Sequence, residues 1–342
     1  MKFGPVPVAE AEGAILAHSE RAADPADGYQ SLTYKIPKGT VLTAQHLRDL
    51  AGNGHSEIVV ARLEDGDVEE NTAALRLAQA LVPDPDASGL HLSGAGAGRV
   101  NLIADGAGVL ELDIARIEAI NGADPMITVA TLPNLTRVVA GAMVATIKII
   151  SYSVSETALA DAARDAGGAL RLRPPVHGSA TLIETAVGRE TPSDKGRRAM
   201  LSRLERLGLM LSPRVVVPHE PDAIAAALQE AAGEVVLILT ASATSDLYDT
   251  APEGLRAAGG TLTRFGMPVD PGNLLFLGDL AGKPVIGLPG CARSLALNGA
   301  DWVLERVVCG IPIRGADIAA MGVGGLLKEI PTRPRPRAKR SR

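Results

Sequence analysis

The amino-acid sequence predicts an α/β protein. Its C-terminal half reads as an open, doubly wound, mostly parallel sheet with helices on both faces, preceded by smaller mixed α+β and β-rich N-terminal units. Three observations carry this reading. From Ala180 to Val308, short apolar runs alternate with segments of helical period, the pattern of strands joined by crossover helices. One run, EVVLILT (Glu234–Thr240), is apolar on both faces, as a strand covered on both sides must be. Upstream the apolar runs are strand-like and interrupted by Pro/Asp and Gly clusters. The expected organisation is an α+β unit over 1–84, a β-rich unit over 85–170, the α/β domain over 171–315 and a disordered basic Pro/Arg-rich tail over 328–342.

In the first unit, GTVL reads as a short strand, Thr43 as the cap of the helix AQHLRDLAG, and EIVVARL as a second strand. The stretch EENTAALRLAQALV reads as a helix with Ala73, Leu77 and Leu81 on one face, and VPDPDASG as a linker. In the second unit, RVNLIAD and MITVATL are strands, and VVAGAMVATIKII reads as a buried strand. IARIEAI is a helix between Asp113 as cap and Gly122 as stop, and ETALADAARDA is another, ending at Gly167-Gly168. SGAGAGRVN resembles a dinucleotide fingerprint, but Arg99 stands at the third glycine position and a strand follows, so it reads as a glycine-rich hairpin or loop.

In the third unit, ATLIET, RVVVP, EVVLILT, TLTRF, NLLFL and KPVIG are strands. Asp194 is placed as cap of KGRRAMLSRLERL, with Met200, Leu204 and Leu207 inward and Gly208 as stop. Pro221 opens a helix that turns Ile224, Ala227, Leu228 and Ala231 to one side and stops at Gly233. A helix lies near PEGLRAAGG, and another follows KPVIGLPG through Trp302 to Val308.

Composition excludes several function classes. The chain has 342 residues, 46% of them hydrophobic, and a net charge of −5, so its body has no general attraction for nucleic acid. Aromatics are 2%, leaving few base-stacking platforms. Two cysteines, Cys291 and Cys309, cannot build a disulfide framework or a four-thiolate zinc site, which fits a reducing cytoplasm. The opening MKFGPVPVAEAEG lacks the apolar core of a signal peptide, and VVAGAMVATIKII is too short to span a bilayer and carries Lys148. The six histidines show no metal-ligand spacing.

Ligands of open α/β sheets sit beyond the carboxyl ends of the strands. That rule singles out the loop opening at Thr185, the loop TASATSDLYDTAP (Thr240–Pro252) and the stretch IGLPGCARS (Ile286–Ser294). In the second, Thr240, Ser242 and Thr244 bring hydroxyls and backbone N–H groups suited to an oxyanion. Asp249 there has two readings: a ligand of Mg²⁺ or of a guanidine-like ring edge, or a helix cap. In the third, Pro289 ends the strand, Gly290 admits a ligand to the backbone, and Arg293 and Ser294 add donors at an expected helix start. A helix start also activates a thiol, so Cys291 is a candidate nucleophile if His219 or His177 reaches it.

These residues resemble the molybdopterin-binding domain family of molybdenum cofactor biosynthesis, shared by molybdopterin adenylyltransferases and gephyrin-type molybdotransferases. Thr240, Asp249 and Pro252 match its signature loop. Leu288, Pro289, Gly290 and Ser294 match its Leu-Pro-Gly-Asn-Pro segment, with Cys291 and Ala292 where Asn and Pro are usual. Thr185 corresponds to its first-strand Thr, although AVGRETPSD lacks the usual Gly-Asp-Glu. Upstream, GAILAHS, KIPKGTVL and VARLEDGDVEENTAALRLA are similar to the leading segments of a bacterial subgroup, sometimes fused to a C-terminal nucleotidyltransferase. The resemblance implies binding of molybdopterin, with Thr185, Thr240, Ser242, Thr244, Asp249, Pro289, Gly290, Arg293 and Ser294 at the cofactor. It implies Mg²⁺ and catalysis at Asp249, by nucleotidyl transfer or molybdate insertion, and a cytoplasmic homo-oligomer. The alternative is a non-catalytic carrier serving a nucleotidyltransferase or an apo-molybdoenzyme. Ala241, Ser242 and Thr244 favour it, because they stand where the enzymes carry glycines that let backbone N–H groups wrap a phosphate.

Overall fold

A computed structural model describes residues 1–27 and 32–327; the expected tail at 328–342 lies outside the described residues. The chain divides into two compact units, one built from residues 1–105, 110–136 and 140–172, the other from 106–109, 137–139 and 173 onward.

The first unit is antiparallel and mixed. Lys2–Pro7 and Ile15–Leu16 flank Glu57–Arg62 in one sheet, and Ile127–Thr131, Met143–Ile149, Arg99–Ala104 and Leu90–Leu92 form another in that order. Thr43 caps the helix Ala44–Gly52 as expected, accepting from His46 N–H while the His46 ring accepts from Thr43 N–H. Helix Glu70–Leu81 buries Ala73, Leu77 and Leu81. Several local expectations fail for identifiable reasons. GTVL forms only a bridge, Val41 to Ile15. VPDPDASG contains one helical turn, Pro85–Ser88, because Asp84 caps it through Ala87 N–H and Pro85 starts it. Gly122 lies inside the helix Ile114–Ala123. VVAGAMVATIKII is two strands, Thr136–Val138 and Met143–Ile149, broken at Gly141, whose φ of 78° needs glycine.

The second unit holds a seven-stranded sheet. Its strands are β1 (Ser179–Ala186), β2 (Met210–Leu211), β3 (Val215–Pro218), β4 (Val235–Leu239), β5 (Thr261–Phe265), β6 (Phe276–Leu280) and β7 (Lys283–Gly287). Both β2 and β3 pair with β1, which is followed across the sheet by β4, β7, β6 and β5. The pairs of β1 with β2, β3 and β4, and of β4 with β7, are parallel; β6 with β7 and β5 with β6 are antiparallel. The helices are α1 (Asp194–Glu205), α2 (Pro221–Glu230), α3 (Thr250–Ala257), α4 (Gly299–Val308) and α5 (Gly315–Ala320).

Strand β4 is buried along its whole length. Val236 and Ile238 pack with Ile224 and Leu228 of α2 and Leu255 of α3. Leu239 points to the other face, where α1 crosses so closely that a Cβ on Gly196 would lie 2.5 Å from Leu239 Cδ2. Helices therefore cover both faces, as expected. Two details of the expectation need correction. Ser193, in extended conformation, is the N-cap of α1, and Asp194 is its first helical residue, paired with Arg214 at 2.6 Å. No α-helix starts at Gly290. Residues Gly290–Arg293 make a single 3-10 turn, and α4 begins at Gly299 behind an Asn298 cap.

Candidate functional site

Strands β1, β3, β4 and β7 run in the same direction, so their carboxyl ends meet at one edge of the sheet. Register fixes which residues arrive there. Thr185 of β1 faces Val217 of β3, Glu184 of β1 faces Leu239 of β4, and Ile238 of β4 faces Gly287 of β7.

A hydrogen-bonded network joins these ends. The buried Thr185 Oγ1 accepts Ala241 N–H at 2.7 Å and lies 3.0 Å from His219 Nδ1. Thr240 Oγ1 donates to Ser242 O at 2.5 Å and lies 3.4 Å from Thr244 Oγ1. The Arg293 guanidinium donates to Thr240 O, tying the loop after β7 to the loop after β4. Thr185, Thr240, Ser242, Thr244 and Arg293 are thereby brought together.

Asp249 caps α3. Its Oδ1 accepts Thr250 N–H at 2.7 Å and its Oδ2 accepts Ser245 N–H at 2.8 Å. The Ser245 bond leads in holding its carboxyl below the usual carboxylate range, and the charge of His219 adds to the effect. Asp249 is therefore a cap, in the loop that follows β4. Pro289 is buried before the 3-10 turn and Gly290 is exposed at its start. Ser294 Oγ accepts Ala296 N–H at 3.2 Å, so this hydroxyl is engaged within its own loop.

The helix dipole expected at Gly290 is absent, because a four-residue 3-10 turn replaces the α-helix. Cys291 sits in that turn, and His219, one of the histidines considered as its base, bonds Thr185 through Nδ1. Burial and the Glu305 charge push the Cys309 thiol up to about 11, away from nucleophilic chemistry.

Two residues escape a reading by motif. His219 follows β3, and only the parallel register with β1 reveals that it meets Thr185. Arg203 of α1 is buried and bonds the carbonyls of Ala292 (3.0 Å), Ser294 (2.8 Å) and Ala296 (3.1 Å) while pairing with Asp301 at 2.5 Å. It holds the loop 292–296 from behind. The signal in sequence was an arginine on the apolar flank of α1, beside Met200 and Leu204.

Among the described residues no group of three or more His, Cys, Asp or Glu is placed to hold a metal ion. Asp249 offers a single carboxylate, and each oxygen already accepts a backbone N–H. A separate groove of about 420 Å³ runs along β3 and α2, lined by Val215, Val217, Ala226 and Ala227. Its lining is mostly apolar, with Thr181, Ser212 and Glu230 as the polar members.

Residues 177–307 match the family model of the probable molybdopterin binding domain. The matched segment contains every strand-end residue described above. Among solved structures, the chain is similar to the molybdopterin biosynthesis MoeA protein from Pyrococcus horikoshii. The identity is 15% and the TM-score 0.30, over 91% of this chain and 76% of that one. A second structure of the P. horikoshii OT3 MoeA protein gives 13% identity and a TM-score of 0.26, over 91% and 74%. No curated protein matches the chain. Among the described residues, no helix is long and apolar enough to cross a membrane.

Proposed function

We propose that the molybdopterin-type domain binds molybdopterin across the carboxyl ends of β1, β4 and β7. The observation that carries this is the Thr185–Ala241 and Thr240–Arg293 network, which gathers three strand-end loops inside the matched segment. Gly290, Arg293 and Ser294 hold the phosphate on the β7 side. Ser242 and Thr244 line the middle, and Asp249 accepts from the pterin edge, whose amino group and ring N–H form a bidentate donor pair.

Replacing Asp249 with Asn tests this assignment. An Asn can still cap α3, so the fold is retained while the charge-assisted acceptor is lost. Affinity for molybdopterin is expected to fall about tenfold by calorimetry, with thermal stability within a few degrees of wild type. Unchanged affinity would remove Asp249 from the site.

A second reading concerns the fate of the bound cofactor. Ala241, Ser242 and Thr244 restrict the loop backbone where glycines would free it. This favours a carrier that passes the cofactor to a nucleotidyltransferase or an apo-molybdoenzyme. Titration with molybdopterin, with and without ATP and Mg²⁺, separates the readings. Tight binding without ATP consumption supports the carrier, ATP consumption coupled to molybdopterin supports the nucleotidyl transferase, and no binding overturns both.

A further inference from the structure

The geometry points to a second ligand site on the flank of this domain. The groove between the edge strand β3 and helix α2 takes a compact, uncharged, apolar molecule that offers one hydrogen-bond acceptor to the Thr181 hydroxyl. This site does not depend on the molybdopterin reading.

An interruption in the sheet edge opens the groove. Strand β2 ends at Leu211 and β3 begins at Val215. Their partners on β1 are Ser179 and Ala180 for β2, and Ile183 onward for β3. Thr181 and Leu182 therefore have no strand partner on that side of β1. Helix α2 faces the gap with Ala223, Ala226 and Ala227, side chains too short to fill it, while Val215 and Val217 form the opposite wall. The resulting space of about 420 Å³ falls within the range of small-ligand pockets.

Alanines supply space alone; Thr181 supplies chemistry. It lines the groove and is 2% exposed. Its Oγ1 accepts Gly233 N–H at 2.9 Å. Gly233 is pressed against the strand, so that a Cβ there would lie 2.4 Å from Thr181 N, and this contact holds the bond in place. A hydroxyl that accepts still has its own proton to donate. Among the described residues no acceptor takes that proton, although buried donors are as a rule satisfied. The groove is the side from which an acceptor can reach it.

The other polar members of the lining set the ligand's charge. Ser212 Oγ donates to Pro213 O at 3.3 Å and is engaged within its own turn. Glu230 is exposed, and among the described residues no cation pairs with it. One buried donor and one carboxylate favour a carbonyl oxygen or ring nitrogen on an apolar body, and they disfavour an anion. The strand-end site is the reverse case, since Arg293 brings it a positive charge.

The experiment uses the full ¹⁵N-labelled chain with three probes: acetophenone, α-methylstyrene (a CH₂ in place of the carbonyl oxygen) and benzoate. Acetophenone is expected to give saturable shifts of the β3 and α2 amides, with a Kd of roughly 1 mM for so small a ligand. It should bind about fivefold tighter than α-methylstyrene, the value of one neutral hydrogen bond. Thr181→Ser should keep that preference, and Thr181→Val should erase it while leaving α-methylstyrene unchanged. Thr181→Val also strips an acceptor from Gly233 N–H, so Ala226→Phe provides a variant with no polar loss. Ala226 is an exposed helix position on the groove, and the larger ring should exclude both neutral probes. Equal wild-type affinities for the two neutral probes would show that water answers the hydroxyl, and would overturn the role of Thr181. Benzoate binding as tightly as acetophenone would overturn the ligand class. Acetophenone binding that survives Ala226→Phe, or no saturable shift in wild type, would overturn the site.

Discussion

Replacing Arg203 with Met is expected to destabilise the protein by roughly 3–5 kcal/mol, the range for breaking a buried ion pair from one side. The Arg203 and Asp301 side chains are 4% and 10% exposed and lie 2.5 Å apart. Removing the guanidinium leaves the Asp301 carboxylate buried with Asn298 N–H still bound to its Oδ2 at 2.8 Å. It also strips a donor from the carbonyls of Ala292, Ser294 and Ala296 together. Arg203→Lys keeps the charge but not the planar fork, and a single ammonium cannot reach that many acceptors, so about half the loss should remain. The double variant Arg203→Met with Asp301→Leu removes the unpaired charge and should recover part of the stability. Denaturant unfolding of wild type, Arg203→Met, Asp301→Leu and the double variant measures the cycle. A single Met variant within about 0.5 kcal/mol of wild type would show that the clamp contributes nothing. Because Arg203 holds the loop from behind, the Met variant should also lose ligand affinity without any contact to ligand.

That clamp shows where a sequence reading reaches and where it stops. The strand EVVLILT, the helix face of Ala73, Leu77 and Leu81 and the Thr43 cap are local facts: period, burial on both faces and a hydroxyl one step before a helix. Each is settled within about a dozen residues, and each stands in the structure. The helix assigned directly after Gly290 was not local. The residues Cys291 to Leu297 have no breaker that forbids a helix, yet in the structure their carbonyls at 292, 294 and 296 turn to Arg203, 89 or more positions away, a contact that no local pattern announces. The site residues took a middle course. The positions of Thr185 and Thr240 at strand ends are legible in the sequence, whereas the Thr185–His219 bond depends on the register of two parallel strands.

Folding stability should fall as pH rises from about 5 to 8, and Glu305→Gln should remove most of that slope. Glu305 lies one helical turn after Asp301 on α4, so α4 carries two acids on one buried face. Asp301 is matched by Arg203. Glu305 is 13% exposed and has Arg137 Nε at 3.0 Å, yet its carboxyl is pushed up to about 7. Burial dominates, and the Asp301 charge adds to it, while Arg137 and Arg306 pull the other way. A carboxyl whose folded value lies above its unfolded value of 4.5 keeps its proton longer in the native state. Its stabilising contribution is complete below 4.5 and is lost as pH rises through about 7. The loss amounts to roughly 3 kcal/mol at most, at about 1.4 kcal/mol for each pH unit. The carboxylates with lowered values, Glu69 and Asp249 among them, lose their contribution only as pH falls below the ordinary carboxylate range, so they do not confound this window. Glutamine keeps an acceptor for Arg137 and never ionises. The variant should therefore match wild type near pH 5 and exceed it at pH 8. Urea unfolding of both proteins at half-unit intervals reads the difference directly, and parallel curves across the window would show that Glu305 ionises as an ordinary carboxyl. A steep wild-type slope would mean that α4, whose N-terminal turn Arg203 joins to the loop at 292–296, is held less firmly at alkaline pH.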